Sequence, residues 1–587
     1  MNWDLTYHFK NNEEFEQALE EVKAMITEFA SFEGKLSEED SFVKYLLLNK
    51  KFEIDASKVY QYASLKSDLN KKNVENASAL NKCRMIFYAV SEVTAYAEPE
   101  IIKLGKDKVM AFIDKHPEVE EFRFSMEKLF RGEKHVLDAT SEKLLSLYAP
   151  VTSSAGELYS ALAVGDGKSV DVKLKNKKVV TVTQGNYRSL IANSDNEKDR
   201  KKIFEAVFKT FEEHKTTYAT IYNNVLQANK ADAKARNYDS VLESYLYHNN
   251  IPTTVFTNLI EVAGKYNKSL KKYIKVRKKA LGLKQYHTYD RFLELAHSSK
   301  EYSYEEAKEL FFSAIKHLPQ DFVDKAHEVL RDGFVDVEEK VGKRTGAYSS
   351  SVANLHPFIL LNYDKTLDSV FTVAHEAGHS IHSMYATEAQ PVMLQNYTIF
   401  VAEIASTFNE HLLLDYFINS SNATKEEKIM VIQKAIDEIM ATFYRQTLFA
   451  EYEYIANNKV ANDEPINHQV LSNIMIELYK KYYGLDITKE EVKQYVWAYI
   501  PHIFYTPFYV YQYATSFAAS FKLYKEVKDG TPNAFEKYIN LLKSGGSKYP
   551  VEQAKEAGVD FTKKDAYMAV VERMDELVEE LEKLLNE

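Results

Sequence analysis

The sequence predicts a mainly α protein, and three observations carry that prediction. Helix breakers are scarce, with 18 glycines and 12 prolines in 587 residues. Apolar residues recur at three- and four-residue intervals through most of the chain, the repeat that places them on one helix face. Glu, Lys and Leu, all strong helix formers, fill much of the rest. With 45% hydrophobic content, a large interior is easily built.

In chain order, Phe15, Leu19, Val22, Ile26 and Phe29 space an amphipathic helix within residues 12–36, and similar patterns continue to about residue 160. The stretch "VDVKLKNKKVVTVT", residues 170–183, breaks the pattern. Val170, Val172 and Leu174 alternate with charged residues and Lys175 to Lys178 can turn the chain back, so a β-hairpin is expected. Helical spacing resumes near residue 198. "KSLKKYIKVRKKALGLK", residues 268–284, reads as a helix with a core side of Leu270, Tyr273, Ile274 and Ala280. Its solvated stripe is Lys271, Lys272, Lys275, Arg277, Lys278 and Lys279. A second interruption, "GAYSSSVANLHPFILLNYDKTL", begins at Gly346 as a polar loop and gives a short apolar strand at Phe358 to Leu361. The last stretch, residues 566–587, is an amphipathic helix through Met574, Leu577, Val578, Leu581 and Leu585.

No linker, low-complexity tract or internal repeat divides the chain. The expected organisation is an N-terminal helical region, 1–200, carrying the hairpin, and a catalytic region, 201–587. One cysteine, Cys83, excludes an internal disulfide. The opening "MNWDLTYHFKNNEEFEQ" lacks the basic and apolar regions of a signal peptide, so a cytoplasmic location is the simplest reading. No run approaches the roughly 18 apolar residues of a membrane span. A net charge of −11 disfavours nucleic acid as a partner.

The chemistry concentrates in "VFTVAHEAGHSIHSMYA", residues 370–386, where ionisable groups interrupt an apolar helix. Side chains four residues apart stack about 6 Å apart on a helix, so His375 and His379 can share one ion. Glu376 then lies beside the metal-bound water, which is the H-E-x-x-H arrangement of zinc peptidases. A catalytic zinc needs a third protein ligand. Glu403, among Val401, Ala402, Ile404 and Ala405, is the candidate, because a buried carboxylate is stabilised by a dication. The competitor is His382, seven residues after His375. Its Cα lies about 10.5 Å further along the axis, which strains a three-point site on one straight helix. A metzincin would need Gly and His where His382 and Tyr385 stand.

Several stretches together resemble the oligoendopeptidase F group of zinc peptidases, related to thimet oligopeptidase. They are "GAYSSS" through "HPFILLNYDKTLDSVFTVAHEAGHSIHS", then "AEIASTFNEHLL", "YVWAYIPHIFYTPFYVYQYATSFAASF" and "KVRKKALGLKQYHTYD". The likeness covers nearly all of residues 200–587 and, more weakly, the N-terminal part. The resemblance implies a helical ellipsoid of the zincin kind, both regions walling one deep substrate channel, with one zinc per chain at its floor. Internal bonds of short unstructured peptides would be its substrates.

Carried over residue by residue, the metal ligands fall on His375, His379 and Glu403 and the general base on Glu376. The family's donors to the oxyanion and substrate backbone fall on His502 and Tyr505, with Tyr509 and Tyr513 on the following helix. The thimet branch has a glycine-rich loop here, whereas this chain has "HIFYTPFY". Asp368 and Glu410 stand where carboxylates could orient the ligands. The strand near Phe358 is placed to pair with the substrate backbone. Two alternatives share parts of the pattern: a helical metallocarboxypeptidase similar to the carboxypeptidase Taq family, and a peptide-binding scaffold without chemistry. The sequence leaves the oligomeric state open.

Overall fold

Scarce breakers give what they predict: in the computed structural model, which describes residues 3–420 and 423–587, helices dominate and the described strands form two small sheets. Strand β1 (Val170–Lys173) pairs antiparallel with β2 (Val179–Val182), Val170 opposite Val182. Lys177, in the left-handed region at φ +68°, closes the turn with its N–H on Leu174 O. The second sheet contains β3 (Val335–Asp336), β4 (Tyr348–Ser350) and β5 (Phe358–Leu360), in the order β3-β5-β4. β5 runs parallel to β3 and antiparallel to β4.

That order corrects one expectation. The strand at Phe358 is central, with both edges already hydrogen-bonded, so it has no edge to offer a peptide. The outer edge belongs to β4, in the serine-rich stretch that reads as a loop.

The contacts divide the chain into two compact units, each assembled from three stretches. The first takes Met1–Lys134, Ser299–Asn419 and Leu523–Val559. Helices Asn12–Ala30, Glu39–Leu69 and Val74–Val93 pack there around Phe15, Leu19, Phe29, Phe42, Leu46, Val59 and Ile86. Asn11 caps the first helix by accepting the Glu14 N–H at 2.9 Å. Trp3 donates its indole N–H to Ile359 O at 2.8 Å, pinning the N-terminal segment to the central strand.

Two long helices of this unit carry the motif residues. The motif helix, Leu367–Ala389, starts at Thr366, whose hydroxyl accepts the Ser369 N–H. The glutamate helix, Ile399–Asn419, buries residues on almost every side, including Phe400, Ile404, Phe408 and Leu413. A helix apolar all round is a core helix.

The second unit takes His135–Ser298, Ser420–Lys522 and Asp560–Glu587. Its closing helix, Asp565–Asn586, lays Met574, Leu577, Val578 and Leu581 against helices Lys268–Ala280 and Lys425–Glu438, as its spacing predicts, while Leu585 is half-buried. Arg277 departs from the predicted solvated stripe. It is fully buried and donates to Tyr273 Oη at 3.1 Å and to the carbonyls of Asp290 and Arg291 at 3.0 and 3.2 Å. Val276, rather than the exposed Ala280, completes the core side. Spacing alone cannot separate a stripe residue from one that caps a neighbouring turn. Among the described residues, no helix is long and apolar enough to cross a membrane.

Candidate metal centre

One turn apart on the motif helix, His375 and His379 bring their Nε2 atoms within 3.2 Å. Glu403 Oε2, from the glutamate helix, lies 3.5 Å from the first and 3.4 Å from the second. An ion bonded at about 2.0–2.1 Å in tetrahedral geometry holds its ligands about 3.3 Å apart, so this triangle has the edge lengths of a zinc site. Among the described residues it is the one group of three or more His, Cys, Asp or Glu able to hold a metal. His382 is outside it. That ring is fully buried, stacked on Tyr397 at 3.6 Å, and burial with the nearby His379 depresses its pKa to about 3.

The two helices meet this closely because of Gly378. A Cβ there would lie 2.5 Å from Ala405 O and 2.6 Å from Ser406 Cα. Beside that contact the buried Asn409 amide donates to Ala374 O at 3.0 Å, locking rotation and slide. Glu403 and Glu410, two turns apart, then share the face turned to the histidines. Glu410 Oε1 hydrogen-bonds His375 Nδ1, which leaves Nε2 to the metal triangle. Ser406 donates to Glu403 Oε2 at 2.9 Å and fixes that carboxylate. Asp368 sits exposed in the first turn of the motif helix.

Environment pushes the carboxylates apart. Glu376 is 6% exposed, its Oε2 has no hydrogen-bond partner among the described residues, and burial raises its pKa. Glu403 resists its own burial through His379, His375 and Ser406, which draw it down to about 2. Burial also disfavours charge on His375, yet Glu410 and the two nearby glutamates outweigh it and lift the imidazole to about 9. Two carboxyls driven in opposite directions are what a base and a ligand require.

The remaining candidates belong to the second unit. His502 and Tyr509 face each other in parallel planes at 6.1 Å, with Tyr513 at 6.3 Å from His502 and 5.5 Å from Tyr509. Burial holds His502 below the usual histidine pKa, so the ring is neutral near pH 7 and one nitrogen is a donor. Tyr505 stands outside this trio. It is 46% exposed, and its hydroxyl makes a 2.9 Å hydrogen bond with Ser160 Oγ.

Residues 190–573 match peptidase family M3, and residues 100–168 match the family described as oligopeptidase F. The chain belongs to peptidase family M3. This M3 peptidase is 33% identical to oligopeptidase PepF of Bacillus subtilis (strain 168), over 99% of this chain and 87% of that one. It is 34% identical to the oligoendopeptidase F homolog of Borreliella burgdorferi, over 100% and 98%. Oligoendopeptidase-F from Enterococcus faecium superposes with a TM-score of 0.76 at 27% identity, covering 98% of this chain and 99% of that one. A solved Chlamydophila abortus structure reaches 0.91 at 31% identity, covering 99% and 98%. The M3 peptidase is therefore a metalloendopeptidase of the oligoendopeptidase F group. Sequence reasoning about its site overlooked Gly378, Asn409 and Ser406. A glycine inside H-E-x-x-H, and small residues at the facing positions of the glutamate helix, were the available signal.

Proposed function

We propose that this M3 peptidase is a zinc-dependent endopeptidase that hydrolyses internal bonds of short, unstructured peptides. The observation that carries the reading is the donor triangle of His375 Nε2, His379 Nε2 and Glu403 Oε2, with edges of 3.2 to 3.5 Å beside a buried, unpaired carboxyl. Zinc held there supplies a Lewis acid that polarises the scissile carbonyl and makes water acidic enough to attack near neutral pH.

The chain's own residues do the rest. Glu376 Oε2 takes a proton from the attacking water and returns it to the departing amine nitrogen, a shuttle helped by its raised pKa. Glu410 holds the Nδ1–H of His375, so Nε2 is the nitrogen that faces the triangle and would give its proton up to bind a metal. His502, Tyr509 and Tyr513 are assigned to donate hydrogen bonds to the oxyanion and the substrate backbone, which their grouping supports; Tyr505, bonded to Ser160, is a further backbone donor. Removing one such donor typically costs about 3–4 kcal/mol in the barrier. Substrate main chain pairs with the outer edge of β4, which is tethered to the motif helix by Ser349 on Ser380 at 2.8 Å, with the adjoining Ser351 on Ser383 at 3.0 Å. Pairing through main chain gives loose sequence preference.

The test is product analysis of a mixed peptide library with and without a chelator. Internal cleavage that stops with chelator and returns with zinc is expected. Full activity in metal-free protein would end the reading, and release of only single C-terminal residues would convert it to the carboxypeptidase alternative.

A further inference from the structure

The second unit gathers four basic side chains from four separate segments. Arg188 lies on the short helix Tyr187–Ala192, Arg291 in the turn Thr288–Phe292, Arg445 at the start of helix Arg445–Ala461 and Lys493 in the turn Glu491–Tyr495. Shared aromatic rings hold them together. The guanidiniums of Arg188 and Arg291 lie 5.9 and 4.6 Å from the same Phe292 ring. Arg188 also donates to Tyr499 Oη at 3.2 Å, and Tyr499 packs at 5.4 Å on Phe208, over which the Lys493 amine sits at 5.2 Å. Lys493 lies equally close to Tyr479, whose surroundings include Arg291 and Arg445. Exposure is graded from Arg188, exposed, through half-buried Arg291 and Arg445, to buried Lys493. Arg188 is therefore the end of the cluster that solvent reaches.

Among the described residues, none of the four forms an ion pair, although acids outnumber bases in the chain by 86 to 75. The two carboxyls within electrostatic reach have other partners. Glu490 accepts the Thr288 N–H at 2.9 Å and faces His287 at 3.5 Å, while Asp437 accepts from Tyr273 at 2.9 Å and Gln433 at 3.2 Å. Burial, reinforced by Arg445, Arg291 and Arg188, holds Lys493 well below the usual lysine pKa. Like charges gathered without a counter-ion repel, and desolvation adds to the cost. Such a cluster persists where a ligand brings the missing negative charge. Guanidinium forks match the two oxygens of a carboxylate, and aromatic walls accept the apolar body beside it. A peptide with a free C-terminus carries that carboxylate, and each cleavage makes another.

We propose that Arg188, Arg291, Arg445 and Lys493 form a carboxylate-binding site for the free C-terminus of the peptide, an inference that rests on the peptidase reading above. The experiment uses two peptides of one sequence, one ending in a carboxylate and one in an amide. Each is titrated calorimetrically into the full-length Glu376→Gln variant, and cleavage of each by the wild type is followed in parallel. The acid peptide is expected to bind about tenfold more tightly, with both peptides cut at the same internal bond. Arg291→Gln with Arg445→Gln should shrink that preference to about twofold at unchanged zinc content, and Arg188→Gln, altering an exposed residue, should reduce it without risk to folding. Equal binding of acid and amide would overturn the site while leaving the peptidase reading intact. Failure of the wild type to cut either peptide in the presence of zinc would instead overturn that reading. Inorganic phosphate is the second arm: phosphate binding abolished by the arginine variants, with acid and amide peptides bound alike, would give the cluster to phosphate and overturn the carboxylate assignment.

Discussion

Replacing Gly378 by Ala tests whether the helix crossing sets the metal geometry. In an isolated helix this change is favourable by up to about 1 kcal/mol, because alanine has less backbone entropy to lose. Here the new methyl would lie 2.5 Å from Ala405 O, about 0.9 Å short of the 3.4 Å at which ordinary contact begins, and 2.6 Å from Ser406 Cα. Both obstacles are backbone, so no side chain can swing away and the helices must part. Overpacking of this kind costs about 1–3 kcal/mol, which outweighs the propensity gain. The larger effect falls on the metal. Glu403 rides on the displaced helix, whereas ligand distances must hold within about 0.2 Å, so a parting of several tenths of an ångström is expected to weaken zinc binding by about 10–100-fold. Thermal melting of the chelated protein and competition with a fluorescent chelator measure the two parts separately. A melting temperature raised as in a free helix, together with unchanged zinc affinity, would refute the reasoning.

Glu376→Gln keeps shape but cannot carry the proton, so zinc content near one per chain and a turnover lower by about 10²–10⁴-fold are expected; retained turnover would remove Glu376 as the base. Glu403→Gln replaces an anionic donor by a neutral amide, so zinc affinity should fall and added zinc should restore part of the activity. His382→Ala is its control and should leave zinc bound; loss of zinc there, with retention in Glu403→Gln, would reassign the ligand. His8, 3% exposed, is lowered to about 4 by burial despite its 2.8 Å hydrogen bond to Gln61. The unfolded chain then binds the proton more readily, so its stabilising effect is complete above about pH 6.5 and is lost as pH falls towards 4, by up to about 3 kcal/mol. Melting of wild type and His8→Asn at pH 7 and pH 5 should show a smaller drop for the variant, and equal drops would remove His8 as the cause.

What could be read from the sequence follows the range of each interaction. The closing helix, the hairpin and the H-E-x-x-H helix are local patterns, and their residues fall where periodicity puts them. Glu403 was legible because a lone carboxylate in an apolar helix demands a partner. β4 was not, since Tyr348, Ser349 and Ser350 have no apolar alternation and become a strand only by pairing with β5, eight to twelve residues further on. Arg277 was misread for a related reason: the carbonyls that receive it lie 13 and 14 residues away in a turn whose course the helix pattern cannot give. The grouping of His502 with Tyr509 and Tyr513, without Tyr505, depends on the path of the "HIFYTPFY" stretch. Phe508 takes φ +55° there, a bend no spacing rule announces.

The interleaving of the first unit has a consequence for synthesis. All three donors of the triangle have been translated by residue 403, yet helix Ala534–Lys543, which packs on the motif helix, is made more than a hundred residues later. Chains grow from the N-terminus, and contacts between distant stretches form late. A ribosome-bound intermediate thus owns every ligand but not the packing that holds them in place.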